Sequence, residues 1–109
     1  MTTETLSEQQ FRLAADRALE RLQRALLPLA DEEGFEVELQ NGVLQVVFDE
    51  PAGKFVVSPN APVRQIWVSA MSRSYKLAWS GDADTFALDG EPLDALLTRL
   101  SRQFLDSVA

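Results

Sequence analysis

The sequence predicts an α+β domain, a two-layer sandwich in which N- and C-terminal helices pack on one face of an antiparallel β-sheet. Two observations predict this fold class. Apolar residues recur at helical spacing near both ends of the chain, and between them they alternate with period two. A chain of 109 residues suits one domain and can bury a core without disulfides. We therefore expect residues 1–109 to form a single domain, with residues 1–6 as a frayed N-terminus.

The first helix begins after Ser7, because Ser7 and Gln10 form a capping-box pattern. Apolar residues then follow at helical spacing and give the helix one buried face. Pro28 falls late in this pattern. Since proline lacks the N–H group that a helical turn needs, we expect the helix to end or kink near Leu27.

A β-hairpin follows the helix. Asn41-Gly42 is the favoured pair for a two-residue hairpin turn, and the residues on both sides of it alternate between apolar and polar. The register that this turn imposes places Val37 and Leu39 on the core side, opposite apolar residues of the return strand. The acids between them, Glu36 and Glu38, then point outward.

The rest of the chain reads as further strands and a last helix. We predict the strands over residues 54–58, 63–70, 75–79 and 85–88. Two prolines between Ser58 and Pro62 predict a loop there, because proline is poorly tolerated in a central strand. Asp89-Gly90 predicts a turn, Pro92 takes the first position of the last helix, and leucines spaced along that helix form its buried face.

One predicted strand carries a tryptophan whose position the pattern leaves open. Ile66 and Val68 alternate with Gln65 and Trp67, and only one set can face the helices. The β-branched pair is the better candidate for the core. Trp67 then either stands exposed on the open face of the sheet, a composition typical of protein contacts, or covers neighbouring strands.

Composition excludes several classes of function. The chain has no cysteine and no histidine, so disulfides, thiolate chemistry, catalytic triads and histidine-bound metals are ruled out, and any metal must be held by oxygen. No acid pair lies in an apolar pattern that would split their pKa values, so we expect no catalytic residues and no enzyme. The acidic balance disfavours nucleic acid. The absence of a long apolar stretch or signal pattern predicts a cytoplasmic protein without a membrane partner, with a processed organellar form as the alternative.

The net charge of −7 is concentrated between residues 31 and 50, which hold seven acids and no base. The hairpin register places five of them at its open end: Asp31, Glu32, Glu33, Asp49 and Glu50. A solvated face is the first interpretation. The alternatives are a docking surface for a basic protein, or loose, water-rich binding of Fe²⁺, Mn²⁺ or Mg²⁺.

Several segments together resemble the frataxin family, most closely its bacterial CyaY proteins. They are Phe11-Arg-Leu-Ala-Ala-Asp16, Gly42-Val-Leu44, Pro62-Val-Arg-Gln-Ile-Trp67, the strand around Tyr75, and Asp89-Gly90 with the leucines after it. The resemblance runs from about Phe11 to Leu105. It implies the predicted fold and a role in iron–sulfur cluster assembly, with a cysteine desulfurase and an iron–sulfur scaffold protein as partners. It also implies a monomer, with iron-induced oligomers as an alternative.

The resemblance also implies which residues form the metal-binding and partner-binding sites. An acidic ridge would bind iron (Fe²⁺ or Fe³⁺), or other divalent cations, weakly at the surface through Asp16, Glu20, Asp31, Glu32, Glu33, Glu36 and Glu38. The partner surface would comprise Glu33, Glu36, Asp49, Asn60, Gln65 and Trp67. Gln23, Arg24 and Leu27 stand where bacterial relatives often carry acids, which weakens the helical half of the ridge. The alternative function is an iron store or a ferroxidase-type iron chaperone, although no Glu-x-x-His motif is present.

Overall fold

The computed structural model describes residues 6–49 and 52–107. Two helices and seven strands make up this part of the chain: α1 (Glu8–Glu33), β1 (Glu36–Gln40), β2 (Val43–Asp49), β3 (Ala52–Asn60), β4 (Gln65–Ala70), β5 (Arg73–Ser80), β6 (Thr85–Leu88), β7 (Glu91–Pro92) and α2 (Leu93–Asp106). The strands form one antiparallel sheet in sequence order, and α1 and α2 pack together over one shared apolar core. The predicted α+β sandwich is confirmed. Neither helix is long and apolar enough to cross a membrane.

The N-terminus of α1 is capped as predicted. The Ser7 hydroxyl accepts a hydrogen bond from the backbone N–H of Gln10 at 3.1 Å, and the Gln10 side chain accepts one from the N–H of Ser7 at 2.9 Å. Residues 1–5, and with them most of the segment predicted to fray, lie outside the described residues. The carbonyl of Leu6 accepts a hydrogen bond from the guanidinium of Arg64 at 3.1 Å, and Leu6 packs against the core.

Of the two predicted effects of Pro28, an end or a kink near Leu27, the end is wrong, because the helix continues through Pro28 to Glu33. Proline removes one helical hydrogen bond, at a cost of about 3 kcal/mol. Leu29 and Ala30, beyond the proline, are buried in the core, and their burial offsets that cost. Gly34 ends the helix in the left-handed conformation (φ 83°), where its N–H donates to the Ala30 carbonyl at 2.8 Å.

The hairpin of β1 and β2 has the predicted register, with Val37 paired to Val46 and Leu39 paired to Leu44. Asn41 and Gly42 both adopt positive φ (55° and 76°), as a type I′ turn requires. The side chains that β2 directs inward are buried, whereas Glu36 and Glu38 of β1 are exposed.

The predicted loop between Ser58 and Pro62 is partly wrong, because β3 extends to Asn60 and Pro59 pairs with Ile66 of β4. The pairing of β2 with β3 ends at Val57. Beyond that point β3 has only β4 as a paired neighbour, so Pro59 occupies a local sheet edge where a missing N–H is tolerated. At its other end, β3 begins at Ala52, two residues before the predicted start at residue 54, and residues 50–51 lie outside the described residues.

Other strand bounds also shift. The strand predicted from residue 63 begins at Gln65, because residues 61–63 form a 3-10 turn, and β5 is longer than the predicted 75–79. The sequence showed no sign of β7, whose last residue, Pro92, is the N-cap of α2 and not its first residue. The buried stripe of α2 is confirmed: Leu93, Leu96, Leu97 and Leu100 are buried, and the half-buried Phe104 packs against Phe48 at 4.6 Å between ring centroids.

Candidate acidic and aromatic docking surface

Three of the predicted ligands occupy the last turn of α1. Asp31, Glu32 and Glu33 are exposed helical residues, so they approach the open end of the hairpin from the last turn of α1 and do not extend strand β1 as the predicted register had them. The cause is the continuation of α1 past Pro28. Asp49 does lie at the hairpin end, exposed on the last residue of β2, and Glu50 lies outside the described residues.

The acids in the last turn of α1 lie where negative charge destabilises a helix. The C-terminus of a helix carries a partial negative charge from its unpaired carbonyl groups. Three acids and no base occupy this turn, and each acid costs about 0.3–1 kcal/mol at such a position. Consecutive helical residues are rotated by about 100°, so the three carboxylates fan out in different directions.

The two acids of β1 extend this charge onto the sheet. Glu36 and Glu38 lie on the outer face of the sheet, the face away from the helices, and both are exposed. Alternate residues of a strand share a face at a spacing of about 7 Å, so the two carboxylates are neighbours on this face. We call Asp31, Glu32, Glu33, Glu36 and Glu38 the acidic end.

The remaining predicted ligands are separated from the acidic end. Asp16 and Glu20 lie one turn apart on the exposed side of α1, and eleven residues separate Glu20 from Asp31, a rise of about 16 Å. Arginines interrupt this stretch. Within residues 6–49 and 52–107, no three acidic side chains converge in a group that could hold a metal ion.

Trp67 stands on the outer face of the sheet, the first of the two alternatives that the sequence left open. Its neighbours Ile66 and Val68 are buried in the core, whereas Trp67 is 37% exposed. The indole Nε1–H donates a hydrogen bond to the Gln65 side chain at 2.9 Å. The ammonium group of Lys76 lies 4.9 Å from the ring centroid, within the range of a cation–π interaction. Trp67 is thus held in place while it remains exposed.

The sheet register assembles the predicted partner residues around Trp67. Asn60 of β3 pairs with Gln65 of β4, and in the next row Trp67 pairs with Ser58 on one side and Lys76 on the other. Sequence reasoning assigned no role to Lys76 beside Trp67. The register of the β4–β5 hairpin is the signal that could have shown it.

The acidic residues of β1 and the aromatic cluster share the outer face. Three strand spacings separate β1 from β4 in the sheet, about 14 Å laterally. Glu38 lies in the row of Ser69, two residues along β4 from Trp67, and Glu36 lies two residues farther, which adds about 7–13 Å along the strands. A single partner surface of ordinary size, about 800 Å² per side, can span both offsets.

Asp49 lies at the end of the sheet away from Asn60 and Gln65, because β2 ends where β3 begins, and Glu33 precedes β1 at that same end. Glu36, Asp49, Asn60, Gln65 and Trp67 therefore share the outer face, with Trp67 and Gln65 toward one end of the strands and Glu36 and Asp49 toward the other.

A bidentate surface ion pair joins β7 to α2. The guanidinium of Arg99 donates two hydrogen bonds of 2.9 Å to the Glu91 carboxylate. These hydrogen bonds lower the pKa of Glu91, and the positive charge of Arg99 adds to the effect. This pair belongs to the junction of β7 and α2, remote from the docking surface.

Comparisons with known proteins agree with this architecture. A family model described as "Frataxin-like domain" matches residues 4–107. The mitochondrial frataxin of Caenorhabditis elegans is 39% identical over 106 residues, which cover 91% of this chain and 77% of the relative. A Pseudomonas aeruginosa protein named iron-sulfur cluster assembly protein CyaY is 34% identical over 85 residues, or 74% of this chain and 78% of the relative.

A CyaY protein of a Janthinobacterium species is 28% identical and covers 87% of both chains. The family match spans nearly the whole sequence, and two of these relatives exceed 30% identity over more than two thirds of it. The resemblance noted from the sequence segments is thereby confirmed. The chain belongs to the frataxin family, which includes the bacterial CyaY proteins.

Proposed function

We propose that this protein is a non-enzymatic accessory protein of iron–sulfur cluster assembly that docks on a complex of a cysteine desulfurase and its scaffold protein. The printed names of the CyaY relatives support the assembly role. The observation that carries the docking proposal is the outer face of the sheet, which a held but exposed Trp67 shares with the acids of β1.

The two parts of this surface contribute differently to docking. Carboxylates of the acidic end attract a basic partner surface from a distance, which raises the association rate and makes it depend on salt. Trp67 buries a large ring at small cost in conformational entropy, because Gln65 and Lys76 already restrict it. Trp67 therefore governs how long the complex lasts.

Iron, in this proposal, is cargo held loosely at the acidic end. Carboxylate oxygens suit hard cations, and Fe²⁺ or Fe³⁺ would be held by one or two acids at a time, with water completing the coordination. The lack of a converged ligand group among the described residues favours such exchangeable binding over an iron store or a ferroxidase site. Asp31, Glu32, Glu33 and Glu36 are the residues that we expect to contact the ion.

A binding titration against the desulfurase–scaffold complex at two ionic strengths tests the electrostatic part. Glu33→Lys combined with Glu36→Lys should weaken binding, slow association and flatten its salt dependence. Asp82→Lys, an exposed acid in the β5–β6 turn, is the matched control and should bind like the unmodified protein. Equal binding by both variants would refute docking through the acidic end.

The aromatic part has its own test. Trp67→Ala should increase the dissociation rate at least tenfold, the effect of losing a central aromatic anchor worth about 2 kcal/mol, while the domain stays folded. Leu13→Ala removes an apolar side chain that is 57% exposed on α1, away from the sheet face, and should leave binding unchanged. If Trp67→Ala binds normally, the outer face is not the contact.

A further inference from the structure

A small cavity lies apart from the docking surface. It is on the helical side of the sheet, between α1 and the turn that joins β5 to β6, and has a volume of about 100 Å³. Sites for drug-sized ligands usually exceed about 300 Å³. A cavity of this size admits only a molecule of a few non-hydrogen atoms.

Two arginines of α1, Arg17 and Arg21, line one side of this cavity. They are four residues apart, so both guanidinium groups project from the same face of the helix. Neither forms a salt bridge with any residue that the structure describes, whereas Arg12 on the same helix pairs with Glu8 at 2.8 Å. Two exposed arginines therefore border the cavity without a paired carboxylate among the described residues.

The opposite wall combines an aromatic ring and an acid. Trp79 is fixed by an edge-to-face contact with the buried Phe86, at 5.4 Å between ring centroids. Asp84 lines the rim from the turn, beyond salt-bridge distance of the arginines. The lining thus carries two positive charges and one negative charge. Ala14 and Ala18 of α1 complete an apolar part of the wall beside Trp79.

We propose that this cavity binds a small organic carboxylate. A planar carboxylate matches the hydrogen-bonding fork of arginine, and two arginines one turn apart can both donate to it. Its short apolar portion would lie between Trp79 and the alanines. Asp84 disfavours a second negative charge on the ligand by Coulomb repulsion, so a monoanion fits the lining better than a phosphate dianion does.

Fluorescence of Trp79 provides a direct test. The chain has two tryptophans, and Trp67→Phe on the far face of the sheet leaves Trp79 as the sole reporter. In this background, titration with sodium propionate at constant ionic strength should give a saturable change. Arg17→Ala and Arg21→Ala should each weaken binding by about tenfold or more, as loss of a charged hydrogen bond does. Arg24→Ala removes an exposed arginine of α1 outside the lining and should have no effect.

Other results would overturn the proposal. A fluorescence response that sodium chloride reproduces would show no binding site, and so would equal affinities of Arg17→Ala and Arg24→Ala. Tighter binding of inorganic phosphate than of propionate would overturn the ligand class. Ala14→Leu offers a second variant that fills the cavity and leaves both arginines in place, and it should abolish the propionate response. None of these measurements depends on the desulfurase complex.

Discussion

The acids at the C-terminus of α1 should make the domain less stable than it could be. Replacing Asp31, Glu32 and Glu33 together by Asn, Gln and Gln keeps the shape of each side chain and removes its charge. Each charge costs about 0.3–1 kcal/mol at the negative end of a helix, so we expect the triple variant to gain roughly 1–3 kcal/mol in the free energy of unfolding. For a domain near 100 residues, 1 kcal/mol corresponds to about 4–8 °C in melting temperature.

Urea unfolding at low and at high salt measures this gain. The gain should shrink as salt rises, because mobile ions screen exposed charges. Asp94 supplies a control in which removing the charge should change the free energy of unfolding in the opposite direction. It lies in the first turn of α2, where an acid is favourable, and its carboxylate accepts a hydrogen bond from the N–H of Ala95 at 3.0 Å. Asp94→Asn should therefore lower stability by about 0.3–1 kcal/mol.

A triple variant that is no more stable than the unmodified protein at low salt would refute the reasoning, and so would a gain that salt leaves unchanged. If the gain is observed, the acidic turn is kept at a cost in stability. Such a cost is expected where a charged segment serves binding. The same variant should then associate more slowly with the desulfurase–scaffold complex.

Two further predictions concern packing in and around α2. A Cβ atom on Gly53 would lie 2.5 Å from Cζ of Phe104, so Gly53→Ala should lower the free energy of unfolding by about 1–3 kcal/mol through overpacking. Unfolding in urea measures this loss. Adding Phe104→Leu to the Gly53→Ala variant should restore part of it. The Ser101 hydroxyl is fully buried without a hydrogen-bond partner in the described part of the chain, so Ser101→Ala should stabilise the domain by about 1 kcal/mol. A destabilised Ser101→Ala variant, or an unaffected Gly53→Ala variant, would contradict these accounts.

Local signals in the sequence predicted the elements that depend on neighbouring residues. Ser7 and Gln10 predicted the start of α1, and Asn41-Gly42 predicted the hairpin turn and its register, because capping and two-residue turns involve only a few consecutive residues. The spacing of leucines predicted which face of α2 is buried. Each of these predictions is confirmed.

The two proline predictions failed for one shared reason. Pro28 and Pro59 each lack a backbone N–H, and the sequence shows that lack but not what makes it tolerable. Burial of Leu29 and Ala30 maintains the helix beyond Pro28. The end of β2 at its pairing with Val57 makes Pro59 a local edge residue. Both compensations come from residues that are brought together only by the fold.

The sequence by itself determined the fold class, the outward direction of Glu36 and Glu38, and the concentration of negative charge between residues 31 and 50. Those properties follow from periodicity and composition. Only the tertiary structure decided how the charge is arranged. Because α1 runs to Glu33, three of the acids project in different directions from the last helical turn and do not continue a strand of the hairpin. The sheet register likewise decided that Lys76 and Gln65 hold Trp67 exposed, since cross-strand neighbours are set by pairing and not by proximity in the chain.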